Sequence, residues 1–291
     1  MDTRHYFKSV LTKLSCVLIL LVYPASSFCS DCNVDEVMNL VIKERSLIKQ
    51  HKILQEAISA CPENVVINLK YAYSCERLRK YDEALKHYTI SSKLDKFNAK
   101  ARFGMGDIYM IKGNVEAAVQ AYSEGLVRKP DDNRALKSLG LAKIKLKAQQ
   151  GSDITTEEFV KVMQEEKKKV GGKESVIGPV LRMRITFHHN SDSLTKEALK
   201  KLKIVGEALQ NEALKGSRFE ISGHTDDLGD SDYNMQLSKR RALSVKYHLV
   251  KTCRIPNDRI SVTYFGETRP IVPNSSVKNR SRNRRVEFRR L

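Results

Sequence analysis

Apolar and small side chains recur at a spacing of 34 residues through the first half of the chain. Ala84 and Ala118 are 34 positions apart, and Leu54, Tyr88 and Tyr122 keep the same spacing at a position for a large side chain. Small residues repeat in the same way at a third position (Ala57, Ser91 and Gly125). Because the intervening pattern is helical, this spacing predicts helical hairpins that stack on one another.

The period resembles that of the tetratricopeptide repeats (TPR). Residues 65–98 and 99–132 form two good units, with a degenerate unit before them and a partial one after. We therefore expect a TPR-like helical solenoid over residues 33–170. The spacing of Thr155 and Glu158 predicts a capping box at the start of a final, terminating helix. The groove of the solenoid, with Lys70, Tyr73 and Arg77 as candidate lining residues, is expected to bind an unidentified protein. In the alternative interpretation the repeats are a rigid spacer or a dimerisation block.

The second half of the chain alternates strand and helix patterns. Residues 218–222 alternate apolar and polar side chains and predict a half-buried strand. A turn follows over residues 223–229, and a helical pattern begins near Ser231. Arg241 shares the apolar face of that helix with Leu237, Val245 and Leu249.

Further elements complete a domain over residues 178–291. A strand is predicted at 181–187, followed by a turn and a long helix through Leu214. Another strand is predicted at 258–266, then a loop at 270–282 and a closing strand at 283–288. The order β-α-β-α-β-β predicts an α/β sandwich with helices packed against one sheet.

A guanidinium on an apolar helix face needs an anionic partner. Asp226, in the turn that follows the strand, is the natural neighbour of Arg241. The two side chains either neutralise each other or grip a small zwitterion together, since arginine suits a planar carboxylate.

The run from Gly223 to Ala242 resembles the central motif of the OmpA-like family, whose members are periplasmic peptidoglycan-binding domains. The resemblance implies that Asp226 takes the ammonium and Arg241 the carboxylate of diaminopimelate in the peptidoglycan stem peptide. It also implies that Asn190 and Ser191 line the pocket through backbone groups. Thr225 and Asn234 match the family pattern and are expected at the site.

The N-terminal residues 1–27 have the pattern of a cleaved signal peptide: basic residues, then an apolar run, then small residues. Retention as an anchor and lipidation at Cys29 are the alternatives. The cysteines suit an oxidising compartment, and Cys61 and Cys75 are placed for a bridge within a helical hairpin. Cys32 is expected to pair with Cys29 or with that hairpin.

The formal net charge of +18 would ordinarily favour nucleic-acid binding. An export signal excludes that partner, so we expect a cell-wall-associated protein of the periplasm, with membrane association an open alternative and no pore. We predict no enzyme activity, no cofactor and no metal site, because no catalytic, zinc or phosphate-binding motif is present; adjacent residues His188 and His189 cannot easily share one ion. The alternative function is an assembly protein whose C-terminal domain docks without binding the wall.

Overall fold

The computed structural model describes residues 32–165, 168–170, 175–188 and 191–291. The predicted signal peptide, Cys29, His189 and Asn190 lie outside the described residues.

The first part of the described chain is a series of antiparallel helices. Their bounds are α1 Val34–Lys43, α2 Leu47–Ala60, α3 Val65–Arg77, α4 Tyr81–Leu94, α5 Ala99–Lys112, α6 Val115–Arg128, α7 Asn133–Gln150 and α8 Thr156–Met163. The paired helices α3–α4 and α5–α6 coincide with the two repeat units expected from the 34-residue period. This series of helical hairpins is compatible with the TPR-like solenoid that the sequence predicts.

The repeat also fixes where the helices begin. Asn64, Asn98 and Asp132 are spaced by 34 residues, and each side chain accepts a hydrogen bond from a backbone N–H in the first turn of α3, α5 or α7. Such caps satisfy donors that a helix leaves unpaired at its start. The predicted capping box of Thr155 and Glu158 is present at the start of α8.

Large and small residues interlock between the repeat helices. A Cβ added at Gly104 would lie 2.3 Å from the Tyr88 ring, and one at Gly106 would lie 2.7 Å from the Tyr122 ring. The tyrosines at the large position of the repeat, one on α4 and one on α6, therefore occupy space that only glycine leaves free on α5.

The bridge expected between Cys61 and Cys75 is wrong, whereas the alternative in which Cys32 pairs with that hairpin is confirmed. Cys61 is bonded to Cys32, with their Cα atoms 5.6 Å apart. Cys75 is a free thiol buried between the repeat helices, and burial raises its pKa to about 11. Cys61 lies at the C-terminal end of α2, where the chain before α1 reaches it and the interior of α3 does not.

The C-terminal part is a mixed sheet with helices on its hydrophobic face, as predicted. Its strands are β3 Val180–Met183, β4 Phe219–His224, β5 Ile260–Tyr264 and β6 Arg285–Arg290, and its helices are α9 Lys196–Gln210, α10 Ser231–Lys251 and α11 Val277–Asn283. The strand order is β3-β6-β4-β5, with β4 and β5 parallel and the other pairs antiparallel. A two-stranded hairpin, β1 Lys168–Val170 and β2 Ser175–Ile177, precedes the sheet.

Two predicted boundaries change in the structure. The strand expected at 181–187 ends at Met183, where the Arg184 N–H turns away to the carbonyl of Ala148 at the end of α7. The region expected as a loop at 270–282 contains α11, which Ser276 caps through the N–H of Asn279. Both differences arise from contacts that periodicity does not encode.

The repeat region and the sheet share one hydrophobic core. Side chains of α7 and α8 belong to the same buried cluster as those of β3, β4, β6, α9 and α10. Phe159 of α8 lies edge-on to Phe288 of β6, with ring centroids 5.9 Å apart. The buried ammonium of Lys201 on α9 donates to the carbonyl of Gly151, which ends α7. The last repeat helices are therefore part of the support of the sheet.

Candidate functional site

The acidic turn sits where β4 passes into α10. Gly223 lets the strand approach the helix closely, because a Cβ there would lie 2.2 Å from the carbonyl oxygen of Ser238. Gly229 has a φ of 97°, which lets the turn reverse before the helix starts. Asp230 then caps α10 by accepting from the N–H of Tyr233 at 2.9 Å.

The carboxylate of Asp226 lies at this turn, and its side chain is only 8% exposed. Its partner is Arg284, the residue between α11 and β6, whose guanidinium donates to it directly. Of the two alternatives for Asp226 and Arg241, the one in which they neutralise each other is therefore not what the structure shows. Arg284 is the first arginine of the run Asn-Arg-Arg-Val-Glu over residues 283–287, and the sequence analysis did not assign it this role.

Arg241 lies close by on α10 without forming an ion pair in the described part of the chain. Its Nε donates to the backbone oxygen of Ser191 at 3.2 Å, and its guanidinium carbon lies 5.0 Å from the centre of the Phe187 ring. Burial lowers the pKa of Arg241 from its ordinary value, the Arg284 guanidinium acts in the same direction, and Asp226 opposes it. The Arg241 side chain is thus half-buried and fixed in orientation, and no carboxylate among the described residues pairs with it.

Asn234 and Thr225 fix the acidic turn through hydrogen bonds. The buried Asn234 amide donates to the Glu267 carboxylate at 2.7 Å and to the Leu228 carbonyl at 3.1 Å. The Thr225 N–H donates to the carbonyl of Gly266 at 2.9 Å. The Thr225 hydroxyl is buried and has no hydrogen-bond partner among the described residues. Both residues therefore hold the turn that carries Asp226.

The loop after β3 completes the site on the side of Arg241. Phe187 forms an isolated bridge with Leu194, which closes the loop that carries Ser191. The Ser191 hydroxyl accepts from the N–H of Ser193 at 2.9 Å, so its backbone carbonyl is the group turned to Arg241. Sequence reasoning placed Ser191 at the pocket but did not assign Phe187 a contact with the guanidinium.

A buried charge cluster supports the sheet beneath the turn. Glu287 of β6 accepts from Arg285 at 2.8 Å and from Arg182 at 2.9 Å, and these cations hold its pKa down at about 2. His224 is 4% exposed, stacks on Phe265 and has no hydrogen bond to either ring nitrogen within the described residues. Burial and then the nearby Arg285 lower the pKa of His224 to about 3. The histidine before Asp226 is therefore neutral and structural at pH 7.

The described residues bring together no group of three or more histidine, cysteine, aspartate or glutamate side chains placed to hold a metal ion. Across those same residues, no helix has the length and apolar character needed to cross a membrane.

Comparison with known proteins agrees with this geometry. Residues 186–284 match the OmpA family, and that span contains β4, the acidic turn, α10 and Arg284. The C-terminal part of the chain is an OmpA-like domain. It is 35% identical over 104 residues to the peptidoglycan-associated lipoprotein of Pseudomonas putida, and 47% identical over 71 residues to outer membrane porin F of Pseudomonas fluorescens.

These alignments cover 36% and 24% of this chain, and 60% and 22% of the respective relatives. Among solved structures, the cell wall anchor of the T6SS from Pseudomonas aeruginosa is 27% identical; the match covers 42% of this chain and 87% of that one, with a TM-score of 0.35. The chain thus spans 60% or less of the length of these two curated relatives.

Proposed function

We propose that this protein binds peptidoglycan non-covalently, with Asp226 gripping the ammonium and Arg241 the carboxylate of a diaminopimelate side chain. The observation that carries the proposal is the state of Arg241. Its guanidinium is oriented by Ser191 and Phe187 but has no carboxylate partner among the described residues. A half-buried cation in that state is ready to accept an anion from a ligand.

The neighbouring Asp226 makes the site complementary to an amino acid rather than to a simple anion. A carboxylate and a guanidinium that lie close together without pairing can receive the ammonium and carboxylate of one tetrahedral carbon. The Phe187 ring and the turn held by Thr225 and Asn234 would surround the aliphatic part of the ligand. Asn190 and Ser191 would contribute backbone groups, as the family resemblance implies.

The distribution of charge supports an acidic polymer as the partner. Residues 178–291 contain 23 Lys and Arg against 12 Asp and Glu, whereas residues 33–165 contain 22 against 18. The positive surplus therefore lies mainly in the OmpA-like domain. Stem peptides carry free carboxylates, so this surplus favours their approach.

The protein is a periplasmic, envelope-associated protein, in line with its relatives named as a peptidoglycan-associated lipoprotein and outer membrane porins. We propose a binding role without catalysis. The repeat region would present a platform to a protein partner. Lys70, Tyr73 and Arg77 are exposed on α3 at helical spacings that place them along one side, which is consistent with such a surface.

One observation favours a second function. Because Arg284 already neutralises Asp226, the domain is also compatible with a docking module that keeps the fold and does not bind the wall. In that case the shared core of α8 and the sheet would serve only to hold the repeats in place.

Co-sedimentation with diaminopimelate-containing sacculi separates the two functions. The whole protein should be used, because α7 and α8 form part of the core of the OmpA-like domain. Wild type is compared with Asp226→Asn and Arg241→Gln, and Lys251→Gln, an exposed cation at the other end of α10, serves as the control for net charge. The wall-binding function requires that both site variants remain in the supernatant while the control sediments. Failure of all four proteins to sediment with the sacculi would favour the docking module, whereas equal co-sedimentation of all four would reject the site formed by Asp226 and Arg241.

A further inference from the structure

The helical hairpins of the repeat region have two different ends. Helices α3, α5 and α7 begin at one end, where loops join them to α2, α4 and α6. This end, called the tether end below, consists of the loops at residues 61–64, 95–98 and 129–132.

The OmpA-like domain contacts the opposite end of the hairpins. The carboxylate of Glu116, at the start of α6, lies 3.7 Å from the guanidinium of Arg282 on α11. The carbonyl of Gly151, which ends α7, accepts from Lys201 of α9. A helix of 14 residues such as α5 is about 20 Å long. The tether end therefore lies about that far from the contacts with the OmpA-like domain.

The N-terminal part of the chain is fixed at the tether end. Cys32 is bonded to Cys61, which directly follows α2, and their Cα atoms are 5.6 Å apart. The apolar run at residues 14–28 ends four positions before Cys32 in the sequence. If that run is retained as an anchor, or if Cys29 carries a lipid, about 10–14 Å of chain joins the bilayer to Cys32. The tether end is then the part of the repeat region closest to a membrane.

Apolar side chains are exposed at the same end. Phe97 is 72% exposed, Val127 near the end of α6 is 73% exposed, and Leu94 at the end of α4 is 41% exposed. The Arg128 guanidinium lies 4.6 Å from the centre of the Phe97 ring. An aromatic ring beside a cation suits the boundary between lipid headgroups and acyl chains, because the ring can leave water while the cation meets phosphate.

Positive charge surrounds these apolar side chains. Residues 93–100 and 127–132 contain three carboxylates and five cations, the latter being Lys93, Lys96, Lys100, Arg128 and Lys129. Two of the carboxylates, Asp95 and Asp132, accept hydrogen bonds from backbone N–H groups and so hold the loops in shape. Long basic side chains can bury their alkyl parts while the charged groups stay at a polar surface. The surplus of cations favours an anionic surface.

We propose that the tether end binds the surface of an anionic lipid bilayer. Phe97 and Val127 enter the headgroup region, and the neighbouring cations contact lipid phosphates. Successive repeat loops lie side by side because each hairpin stacks on the next, so their exposed side chains form a row that fits a flat surface. The OmpA-like domain is held at the other end of the helices, away from the bilayer. This inference goes beyond wall binding and needs neither Asp226 nor Arg241.

Vesicle flotation tests the proposal. The protein is the chain from Phe28 onward, the form that cleavage of residues 1–27 would leave, so that the leader itself cannot insert. It keeps every residue that the structure describes. Vesicles of phosphatidylethanolamine and phosphatidylglycerol at about 3:1 supply an anionic surface, and vesicles of phosphatidylcholine supply one without net charge.

Wild type should float with the anionic vesicles. The double variant Phe97→Gln, Val127→Gln should bind them at least about tenfold more weakly, because two apolar side chains are lost from the contact. The matched control is Ile42→Gln, Ile48→Gln, which replaces two similarly exposed side chains at the opposite end of the hairpins and should bind as wild type does.

Two further variants separate the charge and the insertion. Lys93→Gln, Lys96→Gln should weaken binding to the anionic vesicles by up to about thirtyfold and should leave binding to phosphatidylcholine unchanged. Because the chain contains no tryptophan, Phe97→Trp carries a single probe. Its emission should shift to shorter wavelength when anionic vesicles are added, whereas the emission of Ile42→Trp should not.

The inference is overturned if wild type does not float with the anionic vesicles. It is also overturned if Phe97→Gln, Val127→Gln, folded by circular dichroism, binds as wild type does, or if the control at Ile42 and Ile48 loses as much. An unshifted emission of Phe97→Trp in floated protein has the same meaning. Co-sedimentation with sacculi is measured separately and should be equal for all these variants. Failure of the wall-binding site would appear there without changing the result with vesicles.

Discussion

His224 should make the stability of the protein depend on pH in a way that can be worked out from its surroundings. The side chain is buried, its ring nitrogens have no hydrogen-bond partner among the described residues, and its pKa is about 3. The unfolded chain has a histidine pKa of about 6.5. Below pH 6.5 the unfolded state binds a proton that the folded state does not, so acid favours unfolding.

The size of this effect follows from the two pKa values. For a histidine whose pKa is lower in the folded state, the free energy of unfolding falls by about 1.4 kcal/mol for each pH unit below the unfolded pKa, until the folded pKa is reached. At pH 4 the contribution of His224 is therefore a loss of about 3 kcal/mol relative to neutral pH, and the loss is complete near pH 3. Glu287 acts over a lower range: its pKa is about 2, so it stabilises the fold above pH 4.5 and loses that effect as the pH falls toward 2.

The assay is urea unfolding at pH 7.5, 5.5 and 4, followed by circular dichroism because the chain contains no tryptophan. His224→Asn removes the titrating ring. The drop in unfolding free energy between pH 7.5 and 4 should then be smaller than that of wild type by about 3 kcal/mol. His248→Asn, at a half-buried ring on α10, is the matched control and should change the drop less. Equal pH dependence of wild type and His224→Asn would refute the reasoning.

Three further predictions concern stability. Gly140 lies inside α7 with no atom within 4 Å of an added Cβ, so Gly140→Ala should raise the unfolding free energy by about 0.5–1 kcal/mol. Gly223→Ala should lower the unfolding free energy by about 1–3 kcal/mol, because the added Cβ meets the Ser238 carbonyl. Urea unfolding of both variants checks the opposite signs, and a matching sign for the two would contradict the packing argument. Reduction of the Cys32–Cys61 bond, which closes a loop of 29 residues, should cost about 2–4 kcal/mol. The same reductant should leave Cys32→Ser unchanged, and an equal drop in that variant would exclude the disulfide as the cause.

Much of the fold could be predicted because its determinants are local. The 34-residue spacing of Tyr88 and Tyr122 predicts the repeat hairpins, and the same spacing appears in the N-caps Asn64 and Asn98. The passage from β4 to α10 was predictable because alternation gives way to a helical pattern at an acidic turn. These signals need only a window of one or two elements.

The features that sequence reasoning missed depend on distant contacts. Asp226 and Arg284 are separated by 58 residues, and three elements lie between them. Arg241 is the nearer cation to Asp226 along the sequence. Arg284 comes beside the turn only because β6 pairs with β4 in the register that sets Arg285 opposite His224. The sequence left Cys32 a choice between Cys29 and the hairpin that contains Cys61, and the outcome depends on how the chain enters α1.

The central claim is that Asp226 and Arg241 together grip one ammonium–carboxylate centre. Calorimetric titration of the whole protein with meso-diaminopimelate tests it most directly, with Asp226→Asn, Arg241→Gln and the control Lys251→Gln measured beside wild type. The account predicts saturable binding to wild type and the control, and a loss of at least about tenfold in each site variant, since each removes a charged partner. Binding of equal strength in all four proteins, or no binding to wild type, would contradict the claim.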